Sequence, residues 1–194
     1  MQAGPPAGSE KAFSQFRNVL TSAFELEVSV LALRTSARLL ACEPDPQFLQ
    51  RLALEEGAWT FLNYERFFQT LGTTLERAIA LSKQATRQLP LLNPSQQAAT
   101  LTGLLAPLEE MRAKIGPQRN AATHLGSLQI IPARGFWEGM ATVEGWPELQ
   151  VLMNPQAERR PRYAESAAGG AMLALASVGR MITGLDAAIA WQSL

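Results

Sequence analysis

The sequence predicts an all-α protein: a bundle of four main long helices, with a long irregular insertion before the C-terminal helix. Three observations carry this expectation. Over four stretches, apolar residues recur every three or four positions, the period of a helix with one buried face. Most prolines and glycines fall between those stretches, where they end helices. The 194 residues, 47% hydrophobic and 18% charged, have the size and balance of one globular core.

Residues 1–8 read as a flexible N-terminal tail of Gly, Pro and Ala, and Ser9 suits a helix start because its hydroxyl can accept a free backbone N–H. Phe13, Phe16, Leu20, Phe24, Val28 and Leu31 then share one face of a first helix running to about Ala41, beyond which Pro44 and Pro46 break the pattern. Phe61, Tyr64, Phe68, Leu71, Leu75 and Ile79 mark a second helix, with Gly57 and Gly72 as weak points, ending before Pro90. The third opens at Asn93-Pro94-Ser95, because Pro is tolerated in a first turn, and carries Leu101, Leu104, Leu108, Met111 and Ile115. Pro107 is expected to bend it, and Gly116-Pro117 to kink or interrupt it.

Residues 127–162 show no sustained period and contain Pro132, Gly135, Gly139, Gly145, Pro147, Pro155 and Pro161. They read as an irregular insertion, either a short hairpin or a packed loop around Leu128, Ile130, Ile131, Phe136, Trp137, Val143 and Trp146. Leu175, Val178, Ile182, Leu185 and Ile189 form the fourth helix, with Gly169-Gly170 near its start and Trp191 near its end. The expected organisation is a single helical domain over 9–194.

Scarce residues narrow the chemistry. With one His (His124) and one Cys (Cys42), the chain can form neither an intrachain disulfide nor the usual His/Cys zinc sets, and no cofactor is expected. Cys42 stands beside Glu43, whose charge disfavours a thiolate, and reads as a core or boundary thiol. Lys+Arg 17 against Asp+Glu 17 excludes a wholesale polyanion binder. The opening residues lack the basic and apolar regions of a signal peptide, and the longest apolar run, Ser166 to Gly179, is shorter than the about 20 residues of a membrane span. A cytoplasmic protein with no membrane contact is expected.

The only His lies in Arg119-Asn120-Ala121-Ala122-Thr123-His124. On a helix Asn120 and His124, four apart, share a face, and Arg119 is long enough to swing its guanidinium toward it. One short segment thus offers an acid/base, an amide and a fixed cation. These suit cleavage of an RNA phosphodiester by its own 2′-hydroxyl, which needs a proton taken, a proton returned and an anionic phosphorane stabilised, all without a metal. Imidazole, with an unperturbed pKa of about 6.5, serves as acid or base at neutral pH. Arg119 would hold the phosphate oxygens. One His cannot be acid and base in the same step, so two chains are needed, and a twofold homodimer supplies them.

In these residues the sequence resembles the HEPN superfamily, whose signature is Arg, a polar residue, a short spacer and His; Arg119, Asn120 and His124 match it. The specific resemblance covers about 115–126. It implies a four-helix core, two protomers with facing motifs and, in many members, metal-independent endoribonuclease activity. It also implies a setting in toxin–antitoxin or anti-phage defence, with RNA as substrate and an antitoxin or nucleotidyltransferase as candidate partner. Gly126 stands where one subgroup of these toxins carries a Tyr modified by such a nucleotidyltransferase, so that modification is not expected here.

The competing reading places Arg119 and His124 at an ordinary helix end, where cations favour the negative end of the dipole and Gly126 closes the helix. A non-catalytic helical dimer, with a degenerate motif or an unrelated bundle, would then be the product. Further basic residues, Arg112, Lys114, Arg134, Arg159, Arg160 and Arg162, are candidate RNA contacts, though Glu158 to Arg162 also reads as a solvated loop. Phe136, Trp137 and Trp146 offer stacking faces or loop packing. The pairs Glu55-Glu56 and Glu109-Glu110 read as solvated faces.

Overall fold

The computed structural model describes residues 9–52, 54, 56–120 and 147–190. The chain is all-α, with helices α1 (Ser9–Ala41), α2 (Pro46–Arg51), α3 (Glu56–Gln88), α4 (Pro94–Asn120) and α5 (Pro147–Ala188). Among the described residues there is no strand, only an isolated antiparallel bridge between Leu91 and Ile189.

The expected helix boundaries hold at α1, at the end of α3 and at the start of α4. Three features differ. First, α2 was not anticipated: Asp45 Oδ1 accepts the Gln47 N–H at 2.9 Å, and Pro46 takes the first helical position, so the residues that end α1 also start α2. Second, α4 continues through Pro107 and Gly116-Pro117 to Asn120. The carbonyls those prolines leave without an i+4 donor belong to Gly103 and Ala113, both exposed, so water can replace the missing N–H. Third, 147–162 of the expected insertion is the first part of α5. Pro147 opens it, and the Leu, Gln, Met, Ala, Glu and Arg that follow are strong helix formers. Residues 127–146, with Phe136, Trp137 and Trp146, lie outside the described residues, as do the N-terminal tail and Trp191.

The long helices contribute to two compact units. The first comprises Met1–Leu31, Thr73–Arg112 and Ala174–Leu194. Its interior is aliphatic: Leu26 from α1, Leu75 and Ile79 from α3, Leu101 and Leu108 from α4, Val178, Met181 and Leu185 from α5. Here α1 and α3 run antiparallel, tied by Ser22 Oγ donating to Gln84 Oε1 at 2.5 Å, Thr74 Oγ1 to the Ser29 carbonyl at 3.1 Å and Arg77 Nη1 to the Glu25 carbonyl at 2.8 Å. Around the bridge, the Leu92 N–H donates to the Ala188 carbonyl and the Ala190 N–H to the Pro90 carbonyl, fastening the α3–α4 turn to the end of α5.

The second unit comprises Ala32–Gly72 and Ala113–Leu173. It buries Leu33, Leu40, Leu49, Phe67, Leu71, Ala167 and Ala171, and Ser36 Oγ meets Thr70 Oγ1 at 2.8 Å. Gly170 lies against Phe67, whose Cζ would stand 3.6 Å from a Cβ added there.

The buried face of α1 is not the expected one. Phe13, Leu20, Phe24, Val28 and Leu31 are exposed, while Val19, Leu26, Leu33 and Leu40, spaced by seven, are buried. Ser22, Ser29 and Ser36 interleave with them, giving the alternating three–four spacing of a heptad seam. Serine can be buried here because its hydroxyl bonds its own helix: Ser29 Oγ donates to the Leu26 carbonyl at 2.8 Å and Ser36 Oγ to the Ala32 carbonyl at 2.6 Å. At about 100° per residue the phenylalanine stripe lies on the opposite side of the helix.

Candidate functional site

Arg119 and Asn120 are the last two residues of α4, in the second unit. Their helix is anchored by Leu101 and Leu108, fully buried, and Met111 and Ile115 continue the stripe half-buried. Before its last turn, Arg112, Ala113 and Lys114 are exposed, and nothing stands within 4 Å of a Cβ added at Gly116. The carbonyls of a last turn have no helical donor and carry partial negative charge, so an arginine there is electrostatically favoured. His124, the third member of the expected site, lies outside the described residues, as does Arg134.

The candidate RNA contacts are not one patch. Arg112 belongs to the first unit and is exposed; Lys114 and Arg162 are exposed in the second. Arg159 lies on α5, in what was expected to be loop. Arg160 is committed to the fold: its Nη2 stands 3.0 Å from Glu43 Oε1, and its side chain is only 13% exposed. Its Nε is 3.4 Å from Glu56 Oε1, within ion-pair distance but without hydrogen-bond geometry. Glu56 is therefore not simply solvated, and Glu109 pairs with Lys83 at 3.1 Å. Cys42 is a free, exposed thiol rather than a core one.

An aromatic cluster that the sequence did not single out lies in the second unit. Tyr64 and Tyr163 stack with centroids 4.1 Å apart and rings 18° from parallel. Phe68 meets Tyr64 edge-on at 4.9 Å, Phe67 meets Phe68 at 5.4 Å, and Phe48 meets Trp59 at 5.7 Å. Burial, and secondarily the neighbouring Tyr163, push the Tyr64 hydroxyl above its ordinary pKa, while burial raises the Glu65 carboxyl. Tyr64 was visible on the second predicted stripe; its partner Tyr163 was not, because it falls between the 127–162 insertion and the stripe that begins at Leu175.

Among the described residues no group of three His, Cys, Asp or Glu is placed to hold a metal ion. One described helix, Arg160–Ala188, is long and apolar enough by length and composition to cross a membrane, a test that core helices of soluble proteins also pass. The chain matches no family model, no curated protein and no solved structure.

Proposed function

We propose that this chain is a HEPN-like, metal-independent endoribonuclease of the cytoplasm, active as a homodimer. One observation carries the reading: Arg119 and Asn120 stand together in the closing turn of α4, and the only His of the chain follows four residues later. The all-α bundle of long helices supports it.

In the proposed reaction His124 of one protomer takes the proton of the ribose 2′-hydroxyl, whose oxygen attacks the adjacent phosphorus. His124 of the partner subunit returns a proton to the departing 5′-oxygen. The products are a 2′,3′-cyclic phosphate and a free 5′-hydroxyl. Arg119 stabilises the phosphorane oxygens by charge-assisted hydrogen bonds, and Asn120 orients either His124 or the phosphate. Of the candidate RNA contacts in this unit, Lys114 and Arg162 are exposed, and Arg162 is proposed to meet the RNA backbone. A role in toxin–antitoxin or anti-phage defence, and an antitoxin or nucleotidyltransferase partner, follow from the family resemblance alone.

A second reading, a non-catalytic helical dimer, is favoured by the exposed phenylalanine stripe of α1. Mixed RNA incubated with wild type, Arg119→Ala and His124→Ala in excess chelator separates the two. Cleavage by wild type to cyclic phosphate ends, reduced at least about 100-fold in both variants, is expected for the nuclease. Intact RNA in all three samples leaves the interaction protein.

A further inference from the structure

The outward face of α1 carries a row of exposed apolar side chains. Phe13 is 67% exposed and Phe24 65%, and Leu20, Val28 and Leu31 are each about half exposed. Together these five side chains present roughly 500 Å² of apolar surface, as large as the biggest patch on a typical monomer. Two such faces would bury about 1,000 Å², where specific protein interfaces begin.

The pattern on that face is self-complementary. Steps of three, four, four, four and three residues along Phe13, Phe16, Leu20, Phe24, Val28 and Leu31 are symmetric about Ser22. If a second α1 is laid antiparallel with the twofold axis level with Ser22, Phe13 meets Leu31, Phe16 meets Val28 and Leu20 meets Phe24. Every layer joins one aromatic to one aliphatic side chain, so the thickness of the contact is even along its length. A twofold interface requires one patch to match itself in this way.

The rim distinguishes the occupant. Glu10, Arg17 and Glu27 are exposed beside the stripe, a mixed rim of the kind that borders protein interfaces. A helix built to lie on an anionic membrane would carry a basic polar face instead.

We propose that the Phe13–Leu31 face of α1 is the contact surface between two copies of this chain, packed antiparallel. The proposal rests on α1 and not on the nuclease reading; it names the surface, whereas that reading asks only for two copies. Sedimentation of the full chain at micromolar concentrations tests it. Wild type is expected as a dimer, and Phe24→Glu is expected to raise the dissociation constant at least about 30-fold. Because Phe24 is exposed, the variant should keep its helical circular dichroism.

Direction is tested in a Cys42→Ser background by mixing Phe13→Cys protein with Leu31→Cys protein. A disulfide-linked heterodimer is expected, and neither variant alone should cross-link, since the two copies of either position stand about 27 Å apart along an antiparallel pair. A monomeric wild type overturns the proposal, whether or not the protein floats with vesicles of phosphatidylcholine and phosphatidylglycerol. So does a dimer indifferent to Phe24→Glu, or a Phe13→Cys protein that cross-links to itself, which would mean parallel packing. A dimer that fails to cleave RNA removes the nuclease and leaves this surface standing.

Discussion

The two compact units fill their interiors with different chemistry. In the first, Leu, Ile, Val, Met and Ala close the core, and the polar contacts between helices are hydroxyls and a guanidinium meeting amide oxygens, with one well-exposed ion pair, Lys83–Glu109. In the second, rings from α2, α3 and α5 meet edge-on or stacked, and a largely buried guanidinium stands between two carboxylates. Aliphatic burial responds little to pH or salt, whereas stacked phenols and ion pairs respond to both. The second unit, whose guanidinium is largely buried, is thus the part whose stability the solution tunes more, and stability need not be uniform along helices shared by both.

The strongest attack on that contrast is Phe67→Ala. Phe67 is 2% exposed, touches the Phe68 ring and lies under Gly170. Its removal leaves a cavity among rings that cannot easily collapse, and a loss of about 3–5 kcal/mol is expected. Hydrogen exchange locates the loss. Amides of 56–72 and 160–173 should lose protection, while 75–88 and 174–188 keep theirs. A uniform loss along α3 and α5 would mean that both units unfold as one, and the contrast would then carry no consequence for stability.

Much of this was legible in the sequence, and the failures have a common cause. The helices followed from period and punctuation: the end of α1 before Pro44, the end of α3 before Pro90 and the start of α4 at Pro94 all came from local chemistry. Which side of α1 is buried did not. The phenylalanine stripe outweighs a seam that is half serine on any scale of hydrophobicity, and only the tertiary structure reveals that Ser29 and Ser36 satisfy themselves on their own carbonyls. Likewise Pro155 and Pro161 argued for loop where α5 continues. Of the site, Arg119 and Asn120 were readable as a motif, but the engagement of Arg160 with Glu43 and Glu56 joins positions more than a hundred residues apart. No local pattern encodes that.

Ion pairs give the next comparison. Arg160→Met and Lys83→Met each remove the cation of one unit's pair while keeping an apolar stem. Lys83 is 49% exposed and its Glu109 partner 44%, so water screens that pair and a loss of at most about 0.5 kcal/mol is expected. Arg160, with its stem packed and two carboxylates to serve, should cost about 1–2 kcal/mol. Denaturant unfolding in low salt and in molar sodium chloride checks this. The Arg160 difference should shrink with salt; if Lys83→Met costs as much, the second unit has no special dependence on charge.

The smallest effect is the most specific. Tyr64 is half-buried, and burial first, Tyr163 second, hold its pKa above the ordinary value of about 10. Near that pH the unfolded chain releases the phenolic proton while the folded chain still holds it. Raising the pH therefore favours unfolding, and the stability that Tyr64 contributes is full below pH about 10 and falls as the pH rises through its folded value. Tyr64→Phe keeps a ring against Tyr163 and Phe68 but has no proton to lose. Melting temperatures at about pH 8 and about pH 11 should fall less in the variant than in wild type. The Arg77 contact to the Glu25 carbonyl in the first unit involves no phenol, so hydrogen exchange at alkaline pH should place the extra loss of the wild type in 56–72 rather than in 75–88. Parallel declines in the two proteins would show that another group, not the stacked tyrosine, sets the alkaline limit.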